Sequence, residues 1–172
     1  MDAPIPPPLI TIAPERPDQA AGVNALIGRA FGPGRYAKAA ERLREGNRLR
    51  ADLSFTAVAA GAVVGAIRQW PVGVGAARGV FLGPIAVEVE WRKHGVGADL
   101  IARAVSAAEA AGEAFILLVG DEPLFAPHGF ERVPYGRVIM PGPVDPARVF
   151  WRATRPGGLD AVAGHAHVPG HG

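Results

Sequence analysis

The sequence predicts a single mixed α/β domain, and three observations predict it. The chain has 172 residues, of which 49% are apolar and 20% charged, enough to bury roughly 70% of its unfolded surface and too few for two ordinary domains. The hydrophobic period alternates along the chain between helical spacing and short runs rich in β-branched residues. One of these runs, "FILLV" (115–119), is continuous and apolar, as a strand covered on both faces should be.

Residues 1–8 contain Pro4, Pro6, Pro7 and Pro8, which exclude a helix or a central strand and leave an extended arm. "LITIA" (9–13) reads as the first strand. After Pro14 and Pro17, Ala20, Val23, Leu26, Ile27 and Ala30 recur at helical spacing, with Asp18 favouring the helix start. A second helix is expected over 35–46, stopped by Gly46. Two β-rich runs then flank Ala60-Gly61 as a hairpin, and 79–89 supplies a further strand interrupted by Gly83-Pro84, the signature of a bulge or a splayed strand. Leu100, Ile101, Ala104, Val105 and Ala108 mark the next helix, with Gly112 as its stop. A strand at 115–119, a short helix at 122–127 and strands near 135–140 and 148–153 follow. The remaining segment, 156–172, is rich in Gly, Ala, His and Pro without a sustained period, and reads as a flexible tail after a folded domain at 9–155. This order is neither a repeat array nor a clean βαβ alternation.

The composition excludes several function classes. There are no cysteines, hence no disulfide, no thiolate metal site and no cysteine nucleophile. The net charge is only +2, and the arginines of the densest group, Arg42, Arg44, Arg48 and Arg50, are not interleaved with aromatics. They read as a solvated helix face rather than a nucleic-acid surface. The N-terminus lacks a basic region and a long apolar stretch, and no run approaches the roughly 18 apolar residues of a membrane span. A cytoplasmic protein without membrane contact is expected.

The segment "WRKHGVGADL" (91–100) places two glycines where a helix begins. Such a start leaves backbone N–H groups unpaired beside partial positive charge, which suits an anion. Gly95 and Gly97 would let a phosphate approach the backbone, and Arg92 and Lys93 would add charge. A dinucleotide fingerprint fits poorly, because Leu100 stands where a third small residue is required. No Gly-Lys-Ser/Thr of a phosphate-binding loop occurs. On spacing alone, an ordinary turn into a helix fits equally well.

The wider context adds a resemblance. "LGPIAV", then "EVEW", then Arg92-Lys93-His94-Gly95-Val96-Gly97-Ala98 resembles the R/Q-x-x-G-x-G/A motif of the GNAT superfamily of acyl-CoA-dependent N-acyltransferases. "FILLVGDEPLFAPHGFERV", with its "LVGD" and "HGF" elements, resembles the following strand and short helix, most closely in the YhbS-like branch. The resemblance implies a mixed, mostly antiparallel central sheet with splayed central strands flanked by helices. It implies acetyl-CoA as acyl donor, with Ile85, Ala86 and Val87 against the pantetheine arm and Arg92, Lys93, His94, Gly95, Val96, Gly97 and Ala98 around the pyrophosphate. The acceptor would be an amine of a small molecule or a protein, no metal would be needed, and a homodimer is an expectation by analogy.

Two positions depart from the family pattern. Phe125 stands where many members carry a tyrosine that protonates the leaving thiolate, and Phe81 where some carry a glutamate base. Glu88, Glu90, Asp121 and Glu122 are the alternative carboxylates, with Glu88 the choice for a water-mediated base. Tyr36 and Tyr135 could act only if the fold brings them in. His94 is expected at solvent or phosphate, His128 in a turn, and His165, His167 and His171 in the tail rather than around a metal. The leading reading is an N-acetyltransferase, and Phe81 and Phe125 motivate the alternative of an acyl-CoA-binding module with weak or no transferase activity.

Overall fold

The computed structural model describes residues 3, 9–32, 34 and 38–170. Most of the expected proline-rich arm, together with Tyr36 and His171, lies outside the described residues.

Strand β1 (Ile10–Pro14) runs antiparallel to β2 (Phe55–Ala59). Pro17 opens a short 3-10 turn into helix α1 (Ala20–Phe31), whose Val23, Leu26 and Ile27 are buried against Ala66 and Ala86 of the sheet. The second helix is much shorter than 35–46: α2 is the single turn Ala39–Arg42. Asn47 explains part of the difference, because its side-chain amide donates to Leu43 O at 2.9 Å and to Pro71 O at 2.8 Å. The segment is thus tied to the sheet by side-chain bonds instead of a continuing helical ladder.

The expected hairpin joins β2 to β3 (Ala62–Val74), with Ala60 at φ 51° and Gly61 at φ 79°. Positive φ at both central residues is the turn whose twist matches the flanking strands. β4 (Ala77–Val87) pairs back onto β3 and carries the expected bulge: Leu82 faces Gln69 and Ile85 faces Ile67, so Gly83 and Pro84 together oppose Arg68. The extra residue reverses the alternation of β4. Val80 and Leu82 pack with helix α3 (Val96–Ala110), Phe81 packs with Leu43 on the opposite face, and beyond the bulge Ile85 and Val87 join the α3 face.

β5 (Phe115–Val119) lies parallel to β4, β8 (Val149–Ala153) is antiparallel to β5, and β6 (Glu131–Arg132) closes that end. Between β5 and β6 stand the short helix α4 (Glu122–Phe125) and a 3-10 turn, Ala126–His128. β7 is only Val138–Ile139. The sheet order is β1-β2-β3-β4-β5-β8-β6, a mixed, mostly antiparallel sheet with helices on both faces. No helix among the described residues is long and apolar enough to cross a membrane.

The segment read as a flexible tail is corrected by the structure. Its residues Gly164–His167 form β9, parallel to β7 and antiparallel to Gly73 and Val74 of β3. Val162 is fully buried and Ala166 nearly so. The physical reason is topological: β2 stops pairing β3 at Ile67, which leaves the far half of β3 an open edge that another strand can cover.

Candidate functional site

The site begins where two strands part. β4 and β5 pair only through Val80↔Ile116, Phe81↔Leu117 and Leu82↔Leu118, although β4 continues to Val87. The edge of β4 along 83–87 that faces β5 therefore has no strand partner. The bulge sits at this fork, and the Trp70 indole donates to Gly83 O at 2.6 Å, holding it in place.

Following β4, a 3-10 helix (Val89–His94) leads to Gly95, left-handed at φ 73° and the residue from which α3 starts. No side chain caps this start. The first intrahelical bond is Asp99 N to Gly95 O at 3.0 Å, so the N–H groups of Val96, Gly97 and Ala98 precede the ladder. A Cβ on Gly95 would meet nothing within 4 Å, and one on Gly97 would come no nearer than 3.9 Å to Val87. The concave backbone is open, and the macrodipole of a 15-residue helix favours an anion there. These groups fit a pyrophosphate. Arg92 turns back to donate from Nε to Val87 O at 3.1 Å, Lys93 and His94 are exposed, and the His94 ring stands 5.3 Å from that of Trp91. Val96 and Ala86 bury their side chains, so only their backbones can serve a ligand.

A cleft of about 560 Å³ opens at the fork. Its aromatic wall is Phe31, Trp70, Phe81 and Phe125, and its charged side chains are Lys38, Glu41, Arg44, Arg68, Asp121 and Arg148. Of the cofactor residues expected from sequence, Ile85 lines this cleft, while Ala86, Val87 and residues 92–98 continue along the β4 end and the α3 start. Of the expected carboxylates, Asp121 lines it, 3.3 Å from Arg148. Glu88 does not: it accepts from Arg29 of α1 at 2.5 Å. Glu90 is exposed, and Glu122 lies 3.6 Å from Arg132. Tyr135 is 92% exposed and outside the cleft. His128 ends the turn after α4; burial, and then the Arg152 charge, push its pKa below the ordinary histidine value.

The structure brings in residues that the sequence reading does not place at the site. Arg68, the residue opposite the bulge, donates to Glu15 at 3.0 and 3.2 Å and to Asn24 at 2.7 Å. Arg44 was read as part of a solvated face; instead its side chain is 13% exposed and gives Nε and Nη2 to Glu41 Oε2 at 3.1 and 2.9 Å. Arg50 is likewise engaged, with Asp52 and Glu113. The i,i+3 spacing of Glu41 and Arg44 was the available signal, but their proximity to β4 is set by the fold.

Phe81 and Phe125 are 1% and 3% exposed. Phe125 meets Phe130 edge-on at 5.8 Å. Neither ring can carry a proton, so the cleft has no side-chain acid or base at these positions.

The Acetyltransferase (GNAT) family profile matches residues 22–130. The uncharacterized N-acetyltransferase YhbS of Escherichia coli K12 is 31% identical over 119 residues, 68% of this chain and 71% of that protein. The crystal structure of Escherichia coli YhbS in complex with CoA superposes with a TM-score of 0.78 at 26% identity, covering 98% of this chain and 93% of the other. A GNAT family acetyltransferase from Brucella melitensis in complex with acetyl-CoA gives a TM-score of 0.61 at 26% identity, over 85% and 97% of the two chains. The fork in the sheet, the open glycine start of α3 and these likenesses agree: the chain belongs to the acetyltransferase (GNAT) family, in its YhbS-like branch.

Proposed function

We propose that this protein transfers an acetyl group from acetyl-CoA to a primary amine of a small molecule or a protein. The observation that carries the reading is the continuity of one path: the unpaired edge of β4 after Leu82 leads from the cleft to the uncapped start of α3. Acetyl-CoA supplies the acetyl group as an activated thioester. The amides of Val96, Gly97 and Ala98 receive the pyrophosphate, each charge-assisted bond contributing about 1.5–3 kcal/mol. Arg92, Lys93 and His94 lie beside them, with Gly95 providing the turn. Ile85, Ala86 and Val87 present backbone groups to the pantetheine amides. The coenzyme complexes of the Escherichia coli and Brucella relatives support this assignment.

The acceptor must attack as a neutral amine. For a lysine-like group of pKa near 10.4, losing the proton at about pH 7 costs about 4–5 kcal/mol. Glu41 and Asp121 are the carboxylates of the cleft. Glu41 accepts two bonds from Arg44, whereas Asp121 accepts a single longer bond from Arg148 at 3.3 Å and is the more exposed of the two, so Asp121 takes the proton, directly or through water. Solvent, not Phe125, protonates the leaving sulfur.

A second reading has its own observation. Phe81 and Phe125, at the two positions where the resemblance leads one to expect proton carriers, are buried phenyl rings, which favours an acyl-CoA-binding module of weak activity. One experiment separates the two: thermal unfolding with acetyl-CoA, followed by thiol release with a panel of amines. At a hundredfold excess over Kd, binding adds about 2.7 kcal/mol. No stabilisation overturns both readings, as does equal stabilisation of a folded Gly97→Trp variant. Stabilisation without thiol release selects the binding module.

A further inference from the structure

The guanidinium of Arg44 is only half used. Its Nε and Nη2 edge is spent on Glu41 Oε2, and Nη1 donates to no described residue. That nitrogen points at the bulge: a Cβ placed on Gly83 would stand 3.7 Å from Arg44 Nη1. Gly83 follows directly on Leu82, the last β4 residue paired with β5. The free donor therefore faces the fork, where the acyl end of the donor would lie. Glu41 fixes the direction of the fork of N–H groups, because two bonds to one oxygen prevent the guanidinium from swinging.

The charges of the cleft point the same way. Arg44 is paired with Glu41, Arg68 with Glu15 and Arg148 with Asp121. Lys38, which also lines the cleft, has no ion pair among the described residues. One positive charge is thus left without a counterpart. Around these groups stand Phe31, Trp70 and Phe81, which offer an apolar surface and no further hydrogen-bond donor other than the committed Trp70 N–H.

From this arrangement we propose that the acceptor is a primary amine bearing a nearby carboxylate, of the amino-acid type with an apolar side chain, and that Arg44 is the residue that recognises the carboxylate. The inference rests on the acetyl-CoA reading above. The carboxylate accepts from Arg44 Nη1, its negative charge offsets the surplus positive charge of the cleft, and the apolar side chain lies on the aromatic wall. The amine, two bonds from the carboxylate carbon, is held beside the bulge. Glu41 is a positioning residue for Arg44.

The test uses matched pairs that differ only by the carboxylate: phenylalanine against phenethylamine, and leucine against isoamylamine. Their N-acetyl derivatives are first titrated into the CoA-loaded protein while thermal unfolding is followed, so that the binding comparison does not depend on turnover. The acid of each pair is expected to bind roughly tenfold to a hundredfold more tightly than its partner, the range of a charged hydrogen bond. Arg44→Gln collapses that ratio towards one, and Arg44→Lys retains part of it. In turnover, the same ratio appears in kcat/KM and is carried mainly by KM. Equal binding of acid and amine by the CoA-loaded wild-type protein overturns the inference and leaves the acetyl-CoA reading intact. A ratio that survives Arg44→Gln removes Arg44 from the proposal's centre and overturns it. Failure of CoA to bind overturns both, and is seen before any acceptor is added.

Discussion

The Cδ2–Cε2 edge of the Phe125 ring lies against Gly120, so closely that a Cβ on Gly120 would stand 2.4 Å from Phe125 Cε2 and 2.9 Å from Cδ2. The contact seats α4 against the end of β5, at the wall of the cleft. The buried ring also meets Phe130 edge-on at 5.8 Å, so an added methyl at Gly120 must push it out of these contacts. Gly120→Ala is therefore expected to destabilise the fold by about 1–3 kcal/mol through overpacking, read as a lower urea midpoint with unchanged slope. An unchanged midpoint would mean that the ring has room to move.

The two glycines of the α3 start separate stability from binding. Gly95 is left-handed at φ 73°, and Gly95→Ala is expected to cost roughly 1–2 kcal/mol of stability. Gly97 is in the helix, and its Cβ has room beside Val87. Gly97→Ala should keep or slightly raise stability, by up to about 1 kcal/mol, and keep stabilisation by acetyl-CoA, since the motif admits alanine at this position, whereas the bulky Gly97→Trp should lose it. Calorimetry with and without acetyl-CoA reads both, and full retention of binding in a folded Gly97→Trp variant counts against the pyrophosphate cradle.

Asp121 is the cleft carboxylate assigned to the amine proton. Asp121→Asn removes the base and keeps the shape, so kcat should fall by about 10²–10⁴-fold with acetyl-CoA affinity preserved. A kcat within a factor of a few of wild type moves the proton to water alone.

His128 makes stability depend on pH. Its folded pKa lies below the ordinary 6.5, first because of burial and then because of Arg152. The unfolded chain thus takes up this proton at a higher pH than the folded chain. Its stabilising contribution is fully present above the unfolded value and is lost as the pH falls through the folded value. Denaturant midpoints measured downward from about pH 7 should decline less steeply in His128→Asn than in the wild type; identical slopes would rule the histidine out as the cause.

Truncation after Arg155 probes the C-terminal segment. It removes the fully buried Val162, the strand β9 and the carbonyl of Val162 that accepts from Arg137 Nε at 2.6 Å. Losing one fully buried valine alone costs about 1.5–3 kcal/mol, so the shortened chain should unfold at clearly lower urea. Equal midpoints would make 156–172 dispensable.

Much of the site was legible because its determinants are contiguous. Gly83-Pro84 forecast the bulge, Gly95 and Gly97 the helix start, and "FILLV" the strand that parts from β4. Helix length at 35–46 was not legible, since Asn47 ends that segment through a bond to Pro71, 24 residues away. Glu88 sat at the right place in sequence, but its side chain meets Arg29 of α1 instead of the cleft.

By itself, the sequence determined where the backbone must bend and where its amides are left unpaired, because glycine and proline act on the residues beside them. The tertiary structure alone decided which side chains share the cleft: Asn24, Arg44, Arg68 and Asp121 come from four separate segments and meet only when the sheet is assembled. It also decided the fate of 162–167. A short stretch of Val, Ala, Gly and His without a period of its own becomes a strand once β3 extends past its pairing with β2 and offers it an edge.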